Sequence, residues 1–287
     1  MQRQSTNHSD NHKLYLVGVP IGNYEDITFR ALSTLQTVDI IFCEDTRVTG
    51  QLLNHFNIKT PLKSYHAFNE NEITDKLIDR VKQGEKVAVV SDAGMPAISD
   101  PGFMAARSAI NENIDVVVIP GVTAGVTALV GSGIPTQPYL FYGFLNSNSN
   151  KKKDELKTLR DREETLIIYE AIHRLQDTLE LILETLGDRY IVLARELTKK
   201  YEEYIRGNVS EIIPIVSELK GEFVIVIEGA KESKLVEELN SLTIKEHYDY
   251  YLGISEDRKE AMKKVAKDRG ISKSIVYQEV LGKNKDI

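Results

Sequence analysis

The 287-residue sequence predicts an α/β protein with two domains, built on a doubly wound parallel sheet and a second, mixed sheet. In the first half, short apolar runs alternate with segments of helical periodicity about 10–15 residues long. At least three of the strand-to-helix junctions there contain glycine. In the second half, predicted strands follow one another without an intervening helix, which indicates a mixed or partly antiparallel sheet.

Five apolar runs in the first half predict strands. They lie at 14–17, 40–43, 87–90, 116–119 and 139–144, and a short piece lies at 63–65. The intervening helices follow a cap at Thr28 and lie at 49–56, 70–82, 100–113 and after 125. The run 87–90 is continuously apolar, which is typical of a strand buried on both faces. After it, Ser99 and Pro101 predict a helix N-cap followed by proline at the first helical position.

The second half continues with shorter spacings. Helices are predicted at 154–160, 173–186 and 209–217, and strands at 165–169, 191–194, 201–206 and 222–227. The composition becomes charged after Gly229, and helices are predicted at 245–252, 256–268 and 274–281. The short connection 270–272 between the last two is typical of a helix-turn-helix.

These elements predict how the chain is divided. The division is a disordered tail at 1–12, an N-terminal α/β domain at 13–145, a linker at 146–153, a second α/β domain at 154–230 and a helical extension at 240–287. The segment 146–153 is rich in Asn, Ser and Lys, as linkers often are.

Composition narrows the class of protein. A net charge of −7 argues against non-specific coating of nucleic acid, although Lys151–Lys153 and the segment 254–287 could each form a basic patch or simply be solvated surface. No apolar run reaches the length of about 20 residues that crosses a bilayer. The polar N-terminus lacks the apolar core of a signal peptide, so we expect a cytoplasmic protein. The single cysteine, Cys43, lies in a predicted buried strand.

The predicted site lies where the strands of the first sheet end. Small and turn-forming residues at 18–23, 92–99 and 120–124 follow three strands, and four polar residues at 44–47 follow another. The carboxyl ends of strands are where open α/β sheets bind ligands. The chain lacks a dinucleotide fingerprint, a P-loop, a nucleophile elbow and the His spacing of a zinc site. From the residues alone, these loops are either a small-molecule site between two halves or merely tight turns, and no metal is expected.

Several of these segments also form an ordered set of motifs that resembles the tetrapyrrole methylase family. The set comprises LYLVGVPIGN at 14–23, CEDTR at 43–47, SDAGMPAISDPG at 91–102, PGVTA at 120–124, YE at 169–170, HR at 173–174, ARELTK at 194–199 and GEFV at 221–224. In detail the chain is similar to the branch of that family that methylates small-subunit ribosomal RNA. Met95 stands where tetrapyrrole enzymes have aspartate, which argues against a tetrapyrrole substrate. Val19 and Ile172 also depart from the usual threonine and proline.

The resemblance implies a homodimer that binds S-adenosylmethionine (SAM) between its two domains. It further implies methyl transfer to the ribose 2′-hydroxyl of a decoding-centre cytidine, on naked RNA or on the assembled small ribosomal subunit. The cofactor-binding residues that it predicts are Pro20, Gly22, Asn23, Asp92, Ala93, Gly94, Met95, Pro96, Ile98, Ser99, Pro120, Gly121, Thr123, Ala124, Tyr169 and Ala194.

Catalytic candidates come from the polar residues at two strand ends. A ribose hydroxyl is a poor nucleophile at neutral pH, so a base or a cation near its oxygen would help. Asp45, Arg47, Glu196 and Lys199 fit those roles, although ion pairs at strand ends explain them equally well. Two other functions stay open, namely a methylase of a tetrapyrrole or corrin precursor and a non-catalytic module that binds nucleic acid.

Overall fold

A parallel five-stranded sheet, sheet A, organises the first half of the chain. The computed structural model describes residue 4, residues 12–230 and residues 234–282. Sheet A contains β1 (Lys13–Val17), β2 (Ile40–Cys43), β3 (Leu62–Ser64), β4 (Val87–Val90) and β5 (Asp115–Ile119) in the order β3-β2-β4-β1-β5. Helices α1 (Phe29–Thr37), α2 (Thr46–His55), α3 (Glu70–Lys82), α4 (Phe103–Asn111) and α5 (Ala124–Ser132) follow its strands. Separate apolar clusters cover its two faces, so the predicted doubly wound sheet is confirmed.

A mixed five-stranded sheet, sheet B, organises the second half. It contains β6 (Tyr139–Phe144), β7 (Thr165–Ala171), β8 (Tyr190–Arg195), β9 (Glu203–Asn208) and β10 (Glu222–Ile227) in the order β6-β7-β10-β8-β9. Only β6 and β7 run parallel among these strands. Helices α6 (Ser149–Leu159), α7 (Ile172–Leu186) and α8 (Val209–Ile212) pack on one face. The predicted mixed sheet is therefore confirmed.

Four helices close the chain. They are α9 (Lys234–Ser241), α10 (Ile244–Ser255), α11 (Arg258–Asp268) and α12 (Lys273–Leu281), and the last three enclose a small apolar core around Met262, Val265 and Val276. The three predicted helices are present, whereas α9 was not predicted. Within the described ranges, no helix combines the length and the apolarity that a membrane span requires.

Strand β6 and helix α5 pack with sheet B, although the predicted N-terminal domain at 13–145 includes both. Strand β6 pairs with β7, and Ala128 and Leu129 of α5 pack against the face of sheet B opposite α7. The apolar pattern of β6 fits a strand of either sheet, so the sequence alone could not show which sheet β6 joins. The consequence is that α5 carries the chain from the edge of sheet A onto sheet B.

Helix α4 begins later than predicted, so the assignment of Ser99 as its N-cap is wrong. Ala97 and Ser99 both have positive φ angles, of 70° and 63°, and the loop closes through a hydrogen bond from the Ala97 N–H to the Pro101 carbonyl. The first turn of α4 is capped from another helix, because Glu70 Oε1 accepts hydrogen bonds from the N–H groups of Gly102 and Met104. A cap supplied from 32 residues away leaves no local sequence signal.

Helix α6 begins inside the predicted linker at 146–153, where Asn148 caps the helix. Lys152 on this helix is 2% exposed. Its Nζ lies 2.6 Å from Thr178 Oγ1 and 3.4 Å from the buried Glu170 carboxylate. Lys153 pairs with Glu184 on α7. The basic patch expected at these lysines is therefore wrong for Lys152, which cannot reach a nucleic acid.

Most of the tail predicted at 1–12 lies outside the described residues. Of its described members, Gln4 binds the backbone of Val116 through its side-chain amide, and the His12 carbonyl accepts a hydrogen bond from the Asp115 N–H. The His12 contact extends the pairing of β1 with β5, whereas Gln4 binds β5 on the side that faces away from β1.

Candidate functional site

A cavity of about 500 Å³ lies between the carboxyl edge of sheet A and the face of sheet B covered by α5. The β4–α4 loop and the start of α5 form one wall, through residues such as Gly94, Ser99 and Thr123. The ends of β7, β8 and β10 form the other, through residues such as Tyr169, Ala194 and Val224. The volume is typical of a pocket for a small organic molecule.

Backbone contacts hold together three of the loops at the edge of sheet A. Val19 and Gly94 exchange two backbone hydrogen bonds, of 2.8 and 3.1 Å, which join the β1 loop to the β4 loop. Gly18 packs directly on Gly121, since a Cβ placed on Gly18 would lie 2.8 Å from the Gly121 Cα and 2.6 Å from the Met95 sulfur. A larger residue at Gly18 would force the β1, β4 and β5 loops apart.

Helix α5 points its N-terminus at the cavity. Its N-cap, Thr123, makes no side-chain cap hydrogen bond, and the Gly125 N–H donates instead to Tyr169 Oη at 2.9 Å. At the other end of α5, the Arg206 guanidinium donates to the carbonyls of Gly131 and Ser132. These contacts fix the helix, and the backbone around Thr123 remains a ready hydrogen-bonding surface for a ligand.

Tyr169 lies in an aromatic group at the cavity wall. Its ring makes edge contacts with Phe141 and Phe144, at centroid distances of 5.0 and 5.5 Å. Burial raises the pKa of its hydroxyl, the Asp100 charge adds to that rise, and the hydrogen bond from Gly125 opposes it. Tyr169 therefore stays a neutral phenol at physiological pH.

Asp100 places a carboxyl group in the cavity without a protein partner. It is partly buried and accepts no hydrogen bond from any residue within the described ranges. Burial raises its pKa to about 7, and the nearby charges of Glu44 and Asp92 add to the rise. Burial and Asp92 also raise the pKa of Glu44, which the nearby His66 partly offsets. Three carboxyl groups from the ends of β2 and β4 thus share one region.

Asp45 and Arg47 form an exposed pair just after β2. The Arg47 guanidinium binds the Asp45 carboxylate through Nε and Nη2, at 3.0 and 2.6 Å, and its side chain is 86% exposed. Asp45 also caps α2 by accepting a hydrogen bond from the Arg47 N–H. Together these bonds lower the pKa of Asp45 to about 2. Neither residue lines the cavity.

Lys199 and Glu196 belong to a charged group on the loop between β8 and β9. Lys199 Nζ lies 3.1 Å from Glu196 Oε1 and 2.8 Å from Glu222 Oε2. Burial acts to lower the pKa of Lys199, but the bonds to these two carboxylates outweigh it and raise the pKa. Burial acts to raise the pKa of Glu196, and the Glu222 N–H and Lys199 outweigh it and lower the pKa. Of the three side chains, only Glu222 lines the cavity.

The chain matches a known protein family over most of its length. A family model described as Tetrapyrrole (Corrin/Porphyrin) Methylases matches residues 13–213, more than two thirds of the chain. The chain belongs to this family. The resemblance read from the ordered motifs is therefore confirmed, and so is the predicted tetrapyrrole-methylase fold with its parallel and mixed sheets.

Relatives of this chain share most of its length. A protein of Bacillus subtilis (strain 168), named ribosomal RNA small subunit methyltransferase I, is 49% identical over 274 residues, which cover 94% of each chain. A protein of Halalkalibacterium halodurans with the same name is 46% identical and covers 96% of this chain and 97% of its own.

Solved structures share the fold at lower identity. Uroporphyrin-III-C-methyltransferase from Thermus thermophilus is 25% identical, with a TM-score of 0.56 over 76% of this chain and 94% of its own. Diphthine synthase is 13% identical, with a TM-score of 0.59 over 78% of this chain and 91% of its own.

The residues predicted to bind the cofactor fall into two groups. Nine of them line the cavity: Ala93, Gly94, Met95, Ile98, Ser99, Thr123, Ala124, Tyr169 and Ala194. The other seven, Pro20, Gly22, Asn23, Asp92, Pro96, Pro120 and Gly121, lie in or beside the same loops without lining it. Of these, Asn23 caps a short 3-10 turn and Asp92 accepts a hydrogen bond from the Asp45 N–H.

Sequence reasoning missed several lining residues. They include Asp100, Phe144, Glu170, Ile172, Leu197 and Glu222. The motif at 221–224 marked the β10 strand without showing that it faces the cavity. The sequence placed Asp100 at the N-terminus of a predicted helix. In the structure it lies on the loop before α4 and lines the cavity.

Proposed function

We propose that this chain transfers a methyl group from SAM to the ribose 2′-hydroxyl of a cytidine in the decoding centre of small-subunit ribosomal RNA. One observation carries the proposal: the chain combines the cavity at the edge of sheet A with 43–49% identity to proteins named ribosomal RNA small subunit methyltransferase I. The relatives match over more than nine tenths of their own length, so the likeness extends to the C-terminal helices.

The residues lining the cavity suit SAM. The small side chains at Gly94 and Thr123 allow a nucleoside to approach closely, and aromatic rings at Phe144 and Tyr169 offer apolar surface. Glu222 supplies negative charge for a cationic ligand. When bound, SAM supplies an activated methyl group on a sulfonium, so the protein contributes mainly alignment and proton removal.

The four catalytic candidates named from the sequence are better suited to the RNA than to the reacting atoms. Arg47 projects into solvent beside the β2 end, and Lys199 is held between two carboxylates outside the cavity lining. We propose that Arg47 contacts the RNA backbone and that Asp45 orients its guanidinium. Glu196 and Lys199 would then shape the rim through their bonds to Glu222.

RNA binding requires positive charge near the cavity in a chain of net charge −7. Arg47 lies in the first turn of α2 after the end of β2, and Lys200 and the exposed Tyr201 lie on the loop after β8. The C-terminal helices add further lysines. Because such contacts release counterions, we expect affinity for small-subunit RNA to fall steeply with salt. An affinity that stays constant between about 50 and about 200 mM salt would argue against these contacts.

We also propose that the chain forms a homodimer and acts in the cytoplasm. Val126 and Val130 project from the outer face of α5, and Val130 is 74% exposed. Exposed apolar side chains one helical turn apart suit a contact with a second copy. Sedimentation at equilibrium should give twice the chain mass of 32.4 kDa.

The function is tested with labelled SAM and three acceptors: unmodified small ribosomal subunits, naked small-subunit RNA, and a tetrapyrrole precursor. We expect label in the RNA of at least one of the first two samples and none in the pigment. Transfer to the tetrapyrrole alone would establish the alternative that the likeness to uroporphyrin-III-C-methyltransferase suggests. Absence of transfer in all three would support the non-catalytic binding module.

A further inference from the structure

The ionisable side chains that line the cavity differ in whether other residues already bind them. They are Asp100, Tyr169, Glu170 and Glu222. Glu170 is buried and engaged by Lys152, Thr178 and Arg174. Glu222 binds Lys199 with a side chain that is 82% exposed. The Tyr169 hydroxyl accepts a hydrogen bond from Gly125, and its pKa is raised above that of a free phenol.

Asp100 alone among these four makes no hydrogen bond within the described part of the chain. Its carboxyl group is open to the cavity, where a bound ligand can reach it. The loop that holds it is also unusual, because Ala97 and Ser99 adopt positive φ angles on either side of Ile98. Strain of this kind persists where the surrounding structure fixes it, and it occurs often at functional sites.

We propose that the Asp100 carboxylate is the base that accepts the proton of the acceptor hydroxyl. This assignment rests on the proposed function and refines it. As the hydroxyl oxygen forms its bond to the methyl carbon, the O–H electron pair stays on oxygen and the proton moves to Asp100. The carbon–sulfur bond breaks at the same time, and its electron pair leaves with sulfur, which becomes a neutral thioether.

The surroundings of Asp100 suit a base that works near neutral pH. Burial is the largest cause of its raised pKa, followed by the charges of Glu44 at the end of β2 and Asp92 at the end of β4. Across the cavity, β7 presents Tyr169, which stays neutral. His66 lies near Glu44 and acts to lower the pKa of Glu44, which favours the charged form of that carboxyl group. A proton acceptor whose pKa lies near the working pH is the most efficient kind.

The neighbours also allow the assignment to be tested without removing Asp100. Replacement of Glu44 by glutamine removes one negative charge and keeps the side-chain size. The pKa of Asp100 should then fall, and the acidic limb of the activity profile should move to lower pH. A merely structural role for Asp100 predicts no such movement.

The experiment compares the wild-type chain with Asp100→Asn, Glu44→Gln and a control, Asp154→Asn, which alters an exposed carboxylate on α6 that pairs with Lys157. Transfer to the RNA acceptor is measured from about pH 5 to 9 with both substrates well below saturation, so that the profile reports the free enzyme. SAM affinity is measured separately by calorimetry, and folding by thermal unfolding.

We expect Asp100→Asn to lower transfer at least about 100-fold while SAM affinity changes less than about threefold. The wild-type rate should fall below a midpoint near pH 7, and Glu44→Gln should lower that midpoint. Loss of SAM affinity in parallel with transfer would overturn the assignment by making Asp100 a cofactor ligand, and so would near-wild-type transfer by a folded Asp100→Asn. A wild-type chain that methylates no RNA would instead overturn the proposed function and this assignment with it.

Discussion

Asp45 and Asp100 both follow strands of sheet A, yet their environments give them opposite properties. Asp45 is partly exposed, with a side chain 28% accessible, and it binds Arg47 and caps a helix, which lowers its pKa to about 2. Asp100 is partly buried and accepts no hydrogen bond from the residues that the structure describes. Burial raises its pKa to about 7, and the charges of Glu44 and Asp92 add to the rise. The comparison shows that position at a strand end selects candidates, whereas pairing and burial decide which of them is available for proton transfer.

The largest effect should come from releasing the loop that holds Asp100. Glu70 Oε1 accepts hydrogen bonds from Gly102 N–H, Met104 N–H and the Tyr65 hydroxyl. Glu70→Ala should lower the free energy of unfolding by about 2–3 kcal/mol, because it leaves these donors unpaired. Chemical denaturation measures that loss.

Glu70→Gln is the matched control, since its amide oxygen can still accept the same hydrogen bonds. We expect it to lose less than half as much stability. If the alanine variant is as stable as wild type, Glu70 does not hold the loop, and the contrast between the two aspartates loses its structural basis.

An intermediate effect should appear in the pH dependence of stability, with opposite sign for the two aspartates. The pKa of Asp100 is raised on folding, so the folded chain loses stability as pH rises from about 4 to about 7. Asp100→Asn should therefore raise the unfolding temperature at pH 8 by about 2–4 °C and leave it unchanged near pH 4.

The pKa of Asp45 is lowered on folding, so its contribution is present above about pH 4 and is lost as pH falls toward 2. Asp45→Ala should therefore lower the unfolding temperature at pH 7 slightly, with part of the loss due to the missing cap of α2. Calorimetry across this range measures both. A destabilising Asp100→Asn at pH 8 would contradict the environment described for Asp100.

The smallest effect should come from replacing Arg47, and it should appear in the KM for RNA. Its exposed guanidinium lies outside the cavity lining, so Arg47→Gln should leave SAM affinity unchanged and raise the KM for RNA about threefold. Steady-state kinetics with each substrate varied in turn separates the two constants. A fall of about 100-fold in kcat at unchanged KM would place Arg47 in the reaction and overturn the contrast with Asp100.

The sequence predicted the framework of the fold well because its signals are local. The strands at 40–43, 87–90, 139–144 and 222–227 and the helix at 70–82 have the predicted bounds, since continuous apolar runs and helical periodicity mark them directly. The errors arose where distant groups decide the structure. Glu70 caps α4 from another helix, and β6 joins a sheet whose other strands come later in the chain.

The candidate site was predictable only in part for the same reason. The glycine-bearing loops at 92–99 and 120–124 line the cavity as expected, because backbone freedom is a local property. Glu170, Glu222 and Phe144 face it only because sheet B packs against sheet A through α5. Asp100 differs from Asp45 through burial and neighbouring charges, neither of which a single sequence displays.

The most direct test of the central claim is the chemical position of the transferred methyl group. RNA methylated with labelled SAM is hydrolysed in alkali, which requires a free 2′-hydroxyl at each cleaved linkage. The account predicts that the label appears in an alkali-resistant dinucleotide whose 5′ residue is cytidine. Label recovered in a mononucleotide would place the methyl group on a base and contradict the proposed 2′-O transfer.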